Sequence, residues 1–207
     1  MTKIRLSYTS IVNLLECHRR YYFAHQLGIT PIDRPEYFIH GGATHEFLEP
    51  FIMGKSLDSC LEAVDTAFPD GGDTYCKVRS GCEAYARNYG YPDPLFDVLA
   101  TEVPWSVDTS SYELGGVVDG VAVHRDSGDI YILEHKTAAK VDGSYLDNLW
   151  RDLQVRIYGH IASDVLVERF GRRPVGVIYN VILKPGVRRL GVTKTRLQPQ
   201  GDDQYLE

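Results

Sequence analysis

The hydrophobic period changes once, near Phe96, and that switch limits the folds open to this 207-residue chain. Before it, apolar residues recur at helical spacing; after it they alternate or run together as in strands. Ser7 and Thr9 are cap residues for a helix running through SIVNLLECHRRYYFAHQLGI, with Ile11, Leu14, Leu15, Tyr21 and Tyr22 on one stripe and Gly28 as its stop. Shorter helices are expected over Gly42 to Met53, Ser56 to Ala67 and Thr74 to Tyr89, separated by breaks such as PDGGD. From Phe96 the segments FDVLATEVPWSV, YELGGVVDGVAVH and DIYILEHKT read as a three-strand meander, the last two joined at Arg125-Asp126-Ser127-Gly128. Asn148 to Phe170 reads as one long helix closed by Gly171, and PVGVIYNVILKPGVRRLGVTKTRL as two further strands around Lys184-Pro185-Gly186. Helices, strands, a helix and more strands make an α/β or α+β domain in which helices cover a central sheet. A single domain spanning 1–207 is expected, with a helical part over 1–95, a sheet-and-helix core over 96–197 and a tail over 198–207.

The longest apolar stretch, about Val175 to Leu183, is far short of the roughly 18 residues a membrane span needs, and the first residues lack a signal-peptide core. A cytoplasmic protein without a membrane partner is therefore expected. Cys17, Cys60, Cys76 and Cys82 contain no CxxC pair, so reduced and mostly buried thiols are expected. The net charge of -6 is unevenly placed: residues 1–168 hold 14 Lys+Arg against 25 Asp+Glu, and residues 169–207 hold 8 against 3. A bound phosphate responds to that local basic patch more than to the distant sum, because charges are screened beyond about 8 Å. An acidic total thus does not exclude nucleic acid, although the same residues serve equally as solvated surface charges.

The chemistry-bearing segment is Gly116-Val-Val-Asp119 followed by Ile132-Leu-Glu134-His-Lys136-Thr. Glu134 and Lys136 are two apart on a strand and leave the same face, while Leu133 and His135 leave the other. A hairpin turning on Ser127-Gly128 pairs residues whose numbers sum to 255. Asp119 then faces Lys136, with Glu134 one diagonal step away. Two carboxylates can hold Mg²⁺ or Mn²⁺, and an ammonium beside them can orient water or stabilise charge on a phosphodiester. The other use of such a pattern is a solvated cross-strand ion pair, but the apolar run Ile130 to Leu133 places Glu134 where a carboxylate needs a cation or hydrogen bonds.

In this order, these motifs resemble the RecB-type branch of the PD-(D/E)XK nucleases, which includes phage exonucleases and CRISPR-associated adaptation nucleases. The resemblance runs from about Leu6 to Leu197. Ser7, Ser10, Cys17 and Tyr21 match the opening motif, and Gly41 to His45 match G-x-x-x-H. Glu102 matches the strand glutamate, Asp119 the motif aspartate, Glu134 and Lys136 E-x-K, and Gln154 and Tyr158 Q-x-x-x-Y. It implies a restriction-endonuclease-like core and a metal-dependent DNA nuclease, an exonuclease as the first choice, acting in repair, recombination or phage DNA processing.

The resemblance implies His45, Asp119, Glu134 and the His135 carbonyl as ligands of Mg²⁺ or Mn²⁺, with Glu102 in a supporting position. Lys136 is implied as the catalytic cation, and Gln154 and Tyr158 as residues holding it or the DNA backbone. From pattern alone His45 is equally a structural histidine, and Gln154 with Tyr158 an ordinary i,i+4 pair beside the apolar stripe of Leu153, Ile157 and Ile161. Arg19, Arg20, Arg151, Arg156, Arg188 and Arg189 are candidate phosphate contacts. Trp150, Tyr21 and Tyr22 are candidate stacking surfaces for bases, the tyrosines being equally core residues.

The implied partners are DNA and a helicase, recombinase or CRISPR integrase, in a prokaryotic or phage-infected cell. An inactive DNA-binding module and an RNA-directed nuclease are the rival readings. Relatives with an iron–sulfur cluster use one early cysteine and three late ones. Cys17 is at the early position but nothing after Cys82 is a cysteine, so these cysteines do not support a cluster, unless a longer chain carries the rest.

Overall fold

The computed structural model describes residues 3–32, 35–90 and 92–185. A short strand β1 (Ile4–Leu6) leads into α1 (Tyr8–Glu16) and α2 (His18–Tyr21), the latter continuing as a π-helical turn, Tyr22–Gln26. Three helices follow, α3 (Glu36–Ile52), α4 (Leu57–Ala67) and α5 (Asp73–Asn88). Then come β2 (Phe96–Asp108), β3 (Tyr112–His124) and β4 (Ile130–Ala138). The chain ends with α6 (Gly143–Trp150), α7 (Leu153–Ile157), a second π-helical turn (Tyr158–Ala162), α8 (Ser163–Phe170) and β5 (Gly176–Leu183). The expected mixed α/β architecture is present: an open five-stranded mixed sheet with helices on both faces.

β3 is the spine of the sheet. One edge carries β2, antiparallel along most of its length. The other edge is shared, with β1 parallel at Tyr112 to Leu114 and β4 antiparallel at Gly120 to Val123. Between those two pairings no described strand lies beside the edge from Gly115 to Asp119, and the site is built at this gap. β5 extends the sheet parallel to β4 over Tyr131 to Ala138, a connection that needs the intervening helices as its crossover.

Each sheet face buries its own core. On one side, Ala122, Leu133 and Ile182 pack against Phe47, Leu48 and Phe51 of α3, Cys60, Leu61 and Val64 of α4, and Val78 and Cys82 of α5. On the other, Val103, Trp105, Val121, Ile130 and Ile132 pack against Ile157, Tyr158, Ala162 and Leu166. β4 is therefore covered on both faces, as its apolar run suggested. Leu166 is fully buried, so Leu166→Ala should cost about 2 to 5 kcal/mol by the transfer and cavity terms together, read as a lower thermal midpoint with an unchanged fold.

Two helices expected to be continuous are broken. Cys17 is extended (φ -160, ψ 109) between α1 and α2, and the fold-back lets Asn13 Nδ2 meet His25 Nε2 at 2.8 Å. On an unbroken helix those residues would lie about 18 Å apart along the axis. Cys17 is exposed as a result, as is Tyr22, so neither takes the core position open to it in the sequence reading. The long helix starts at Gly143 under an Asp142 cap and is interrupted where Asp152 caps Gln154. Leu153 lies at the surface rather than on the apolar stripe.

The β3–β4 turn also differs. Arg125 to Gly128 form a four-residue loop closed by His124 N–H donating to Asp129 O at 2.9 Å, so paired residue numbers sum to 253. Continued past Gly120 and Leu133, this register aligns Asp119 with Glu134 instead of Lys136. The slip is two residues, so the facing of each side chain is unchanged. The expected strand after Lys184-Pro185-Gly186 lies outside the described residues.

Candidate active site

At the gap on β3, Asp119 takes over from the missing ladder. Its Oδ2 accepts the His135 backbone N–H at 2.7 Å, a position a β3 carbonyl fills in a continuous pair. His45, from the middle of α3, approaches from the helical side: Nε2 is 3.1 Å from the His135 carbonyl oxygen and Nδ1 is 3.7 Å from Asp119 Oδ2. The carbonyl expected to bind a cation is thus occupied by His45 in this arrangement. Glu102 enters from β2. It lies between the pairs Thr101 with Gly120 and Val103 with Val118, directly across from Asp119, and its φ of 47 is the single positive value among described non-glycine residues. Left-handed backbone at a strand glutamate costs on the order of 1 kcal/mol or more and is held by the surrounding sheet.

His45, Glu102 and Asp119 each offer a ligand atom within 4.8 Å of the others. Glu102, expected to stand behind the ligands, is therefore one of this trio. Burial, and then the charge of Asp119, raises its carboxyl above the usual range. The trio opens into a groove of about 590 Å³ that also includes Tyr37, Glu46 and Glu49.

Glu134 and Lys136 occupy the other face of β4, side by side. Glu134 is 2% exposed; its Oε1 accepts from Lys136 Nζ at 2.7 Å, and its buried Oε2 has no hydrogen-bond partner among the described residues. Burial, reinforced by Asp119, pushes its carboxyl up to about 7 despite the attraction of Lys136. Lys136 is desolvated too, which alone would weaken its charge, yet Glu134 and Asp152 together raise its pKa above the ordinary lysine value.

A hydrogen-bonded chain fixes that ammonium. Lys136 Nζ donates to Gln154 Oε1 at 2.9 Å, Gln154 Nε2 donates to the Tyr158 hydroxyl at 2.8 Å, and that hydroxyl donates to Val117 O at 2.8 Å. The final bond satisfies a carbonyl on the unpaired stretch of β3. Tyr158 begins the second π-helical turn, a local widening that recurs at functional sites. Asp152, which sequence reasoning missed, adds a carboxylate 3.4 Å from Lys136 Nζ. Its signal was an aspartate two residues before Gln154, a helix-cap position hidden by reading the segment as unbroken.

The structure brings together His45, Glu102, Asp119, Glu134, His135, Lys136, Gln154 and Tyr158 around the β3 gap. The candidate phosphate contacts are more dispersed. Arg19, Arg20, Arg151 and Arg156 are exposed on the helices. Arg20 pairs with Glu16 at 3.2 Å, Arg19 lies over Phe23, and Trp150 projects into solvent. Arg188 and Arg189 lie outside the described residues.

Two features bear on a cation: an open trio of one imidazole and two carboxylates, and a buried carboxylate oxygen without a partner among the described residues. Hard oxygen donors with one histidine suit a divalent cation such as Mg²⁺ or Mn²⁺, so the residues fit such an ion.

Among solved structures, the chain is similar to the crystal structure of a provisionally assigned exonuclease from Eubacterium rectale. The TM-score is 0.51 at 14% identity, covering 94% of this chain and 75% of that one. At that identity the likeness speaks to the fold. No curated protein matches the chain. No described helix is long and apolar enough to cross a membrane. The family model of the PD-(D/E)XK nuclease superfamily matches residues 5–207, which takes in every residue of the cluster around β3, and the chain belongs to that superfamily.

Proposed function

We propose that this protein is a Mg²⁺- or Mn²⁺-dependent deoxyribonuclease that removes nucleotides from DNA ends. The observation that carries the reading is the convergence of His45, Glu102 and Asp119, whose ligand atoms lie within 4.8 Å of one another, with Glu134, a buried carboxylate whose Oε2 lacks a partner among the described residues, on the neighbouring strand beside the ammonium of Lys136. His45, Asp119 and Glu134 would hold the ion, with Glu102 as a further oxygen donor and the His135 carbonyl released from His45 to join them. A bound divalent cation supplies neutralisation of the scissile phosphate and a lower pKa for the attacking water.

The protein's own residues supply the positioning. Glu134 and Gln154 hold Lys136 Nζ from two sides, and Asp152 is the most distant of its three acceptors. The proton turned toward Asp152 is therefore the one most readily given to a water or a phosphate oxygen. Tyr158 keeps Gln154 in place through the Val117 carbonyl, so the ammonium reaches the reaction already oriented, with no reorganisation at that moment. The exonuclease assignment of the Eubacterium rectale protein supports end-directed cleavage, and the RecB-type motif order supports DNA as substrate. Its setting is the cytoplasm of a prokaryotic or phage-infected cell, where a helicase, recombinase or CRISPR integrase delivers the DNA.

The test is cleavage of end-labelled single- and double-stranded DNA, with matched RNA, in Mg²⁺, Mn²⁺ or EDTA. Metal-dependent mononucleotide release from DNA is expected. Products independent of metal, or RNA cut in preference to DNA, would overturn the reading, and binding without cleavage in any metal would leave an inactive DNA-binding module. Within the same assay, His45→Ala should raise the metal concentration for half-maximal cleavage by about 10- to 100-fold, seen in a metal titration at saturating DNA.

A further inference from the structure

A second concave site adjoins the metal groove. It has a volume of about 430 Å³ and is lined by Glu36, Tyr37, His40, Lys77, Lys184 and Pro185, with Ala139 at its edge. Tyr37 also lines the metal groove, so the two are neighbours along α3. Their charge is opposite. The metal groove holds Glu46, Glu49, Glu102 and Asp119, whereas the second site gathers two lysines and a histidine against one acid, Glu36, whose carboxylate accepts from the Thr74 hydroxyl.

His40 is the anomaly at its floor. The residue is 5% exposed, and among the described residues neither Nδ1 nor Nε2 has a hydrogen-bond partner outside His40 itself. A neutral imidazole carries one N–H, and burying it without a partner outside its own residue carries a desolvation cost that a leucine there would not incur. Burial, and then the charges of Lys184 and Lys77, favour the uncharged ring; the same two lysines attract an anion to that position. Their backbones are fixed. Lys184 N–H donates to Ala138 O at 2.8 Å at the end of the sheet, and Lys77 lies on α5, which packs through Gly81 onto Pro185.

We propose that His40, Lys77 and Lys184 form a second phosphate subsite, which holds another phosphate of the strand whose scissile phosphate lies at Asp119. It rests on the nuclease reading and deepens it: the metal groove repels the backbone except where a cation neutralises it, and the adjacent basic site sets which phosphate stops there. The lysines take the phosphate oxygens, and a His40 N–H is reached as the ligand displaces a neighbouring side chain. A terminal phosphomonoester and an internal phosphodiester both present anionic non-bridging oxygens, and the substrate's end chemistry tells them apart.

The experiment measures equilibrium binding of a fluorescent oligonucleotide in EDTA across a salt series, and steady-state cleavage in Mg²⁺ or Mn²⁺. Wild type is compared with Lys77→Gln, Lys184→Gln, the double variant and His40→Leu, each checked by thermal unfolding. The double variant should bind about 10-fold more weakly, with a salt slope shallower by about 1, the signature of one lost phosphate contact. Its KM should rise about 10-fold with kcat within about 3-fold, as for lost uniform binding. His40→Leu should raise KM while its thermal midpoint stays level or rises, which a purely structural histidine would not do. A loss confined to 5′- or 3′-phosphorylated oligonucleotides assigns the subsite to a strand end, and an equal loss on hydroxyl-ended ones to an internal phosphate. An unchanged salt slope and KM in the double variant, or no DNA binding by wild type in EDTA, would overturn the subsite. Failure of wild type to cleave in every metal, with the binding losses intact, would instead sink the nuclease reading and leave the subsite standing.

Discussion

Lys136→Ala should reduce cleavage by roughly 10²- to 10³-fold in kcat, the scale of losing one preorganised charge donor at a reacting oxygen, while DNA affinity changes little. The ammonium is placed by Glu134 at 2.7 Å and Gln154 at 2.9 Å. Removing it strips Glu134 Oε1 of its donor when Oε2 already has none, so the carboxyl responds by holding its proton more firmly. Single-turnover cleavage at saturating DNA, together with a binding isotherm and a thermal melt, separates chemistry from affinity and folding. A variant that folds, binds and cuts at the wild-type rate would remove Lys136 from the reaction.

Glu134→Gln should stabilise the metal-free protein strongly at pH 8 and much less at pH 5. The sign follows from the direction of the shift. Glu134 is raised in the folded protein from 4.5 to about 7, chiefly by burial. Between those values the unfolded chain has already lost the proton that the folded protein keeps. Stability from this group is therefore intact below about pH 4.5, falls as pH rises through the window, and is fully lost above about 7. The penalty is on the order of 3 kcal/mol as an upper figure, and it already contains the attraction of Lys136, which in the glutamine variant keeps Asp152 and Gln154 as acceptors. For a domain of this size that corresponds to about 2 to 4 °C per kcal/mol in the thermal midpoint. The variant should also lose cleavage, since an amide is a poor partner for a divalent cation. Melts in EDTA at the two pH values check the first half: equal midpoint differences at pH 5 and pH 8 would show that Glu134 ionises normally.

Together these two variants describe a site that trades stability for readiness. Glu134 is buried beside a partner that satisfies half of it, Glu102 stands in left-handed backbone within a strand, and Asp119 substitutes for a missing ladder carbonyl. Each departs from what the fold alone would favour, and all three lie on adjacent strands around one gap. A cation at that gap would bind only the folded chain and so offset part of the cost.

Much of this was written in local sequence. The change of hydrophobic period at Phe96, the apolar run Ile130 to Leu133 and the Gly171 stop set the elements and their order, because period, burial and φ preference are properties of a few neighbouring residues. Strand alternation alone placed Glu134 and Lys136 on one face and Leu133 and His135 on the other. The spaced motifs identified His45, Glu102, Asp119, Gln154 and Tyr158 as candidates.

What only the tertiary structure decided were relations between residues far apart in the chain. The length of the Arg125 to Gly128 loop moved the β3–β4 register by two residues, since a turn's hydrogen bonding depends on the strands it joins. Cys17 and Asp152 broke helices that lack any proline or glycine signal at those points, because Asn13 reaches His25 and Asp152 reaches Lys136 across the fold. Glu102 moved from a supporting place into the trio with His45 and Asp119, and His40 came to lie beneath Lys77 and Lys184. Local propensity fixes which way a side chain leaves its element, and only the packing of α3 and α5 against the sheet fixes what it meets there.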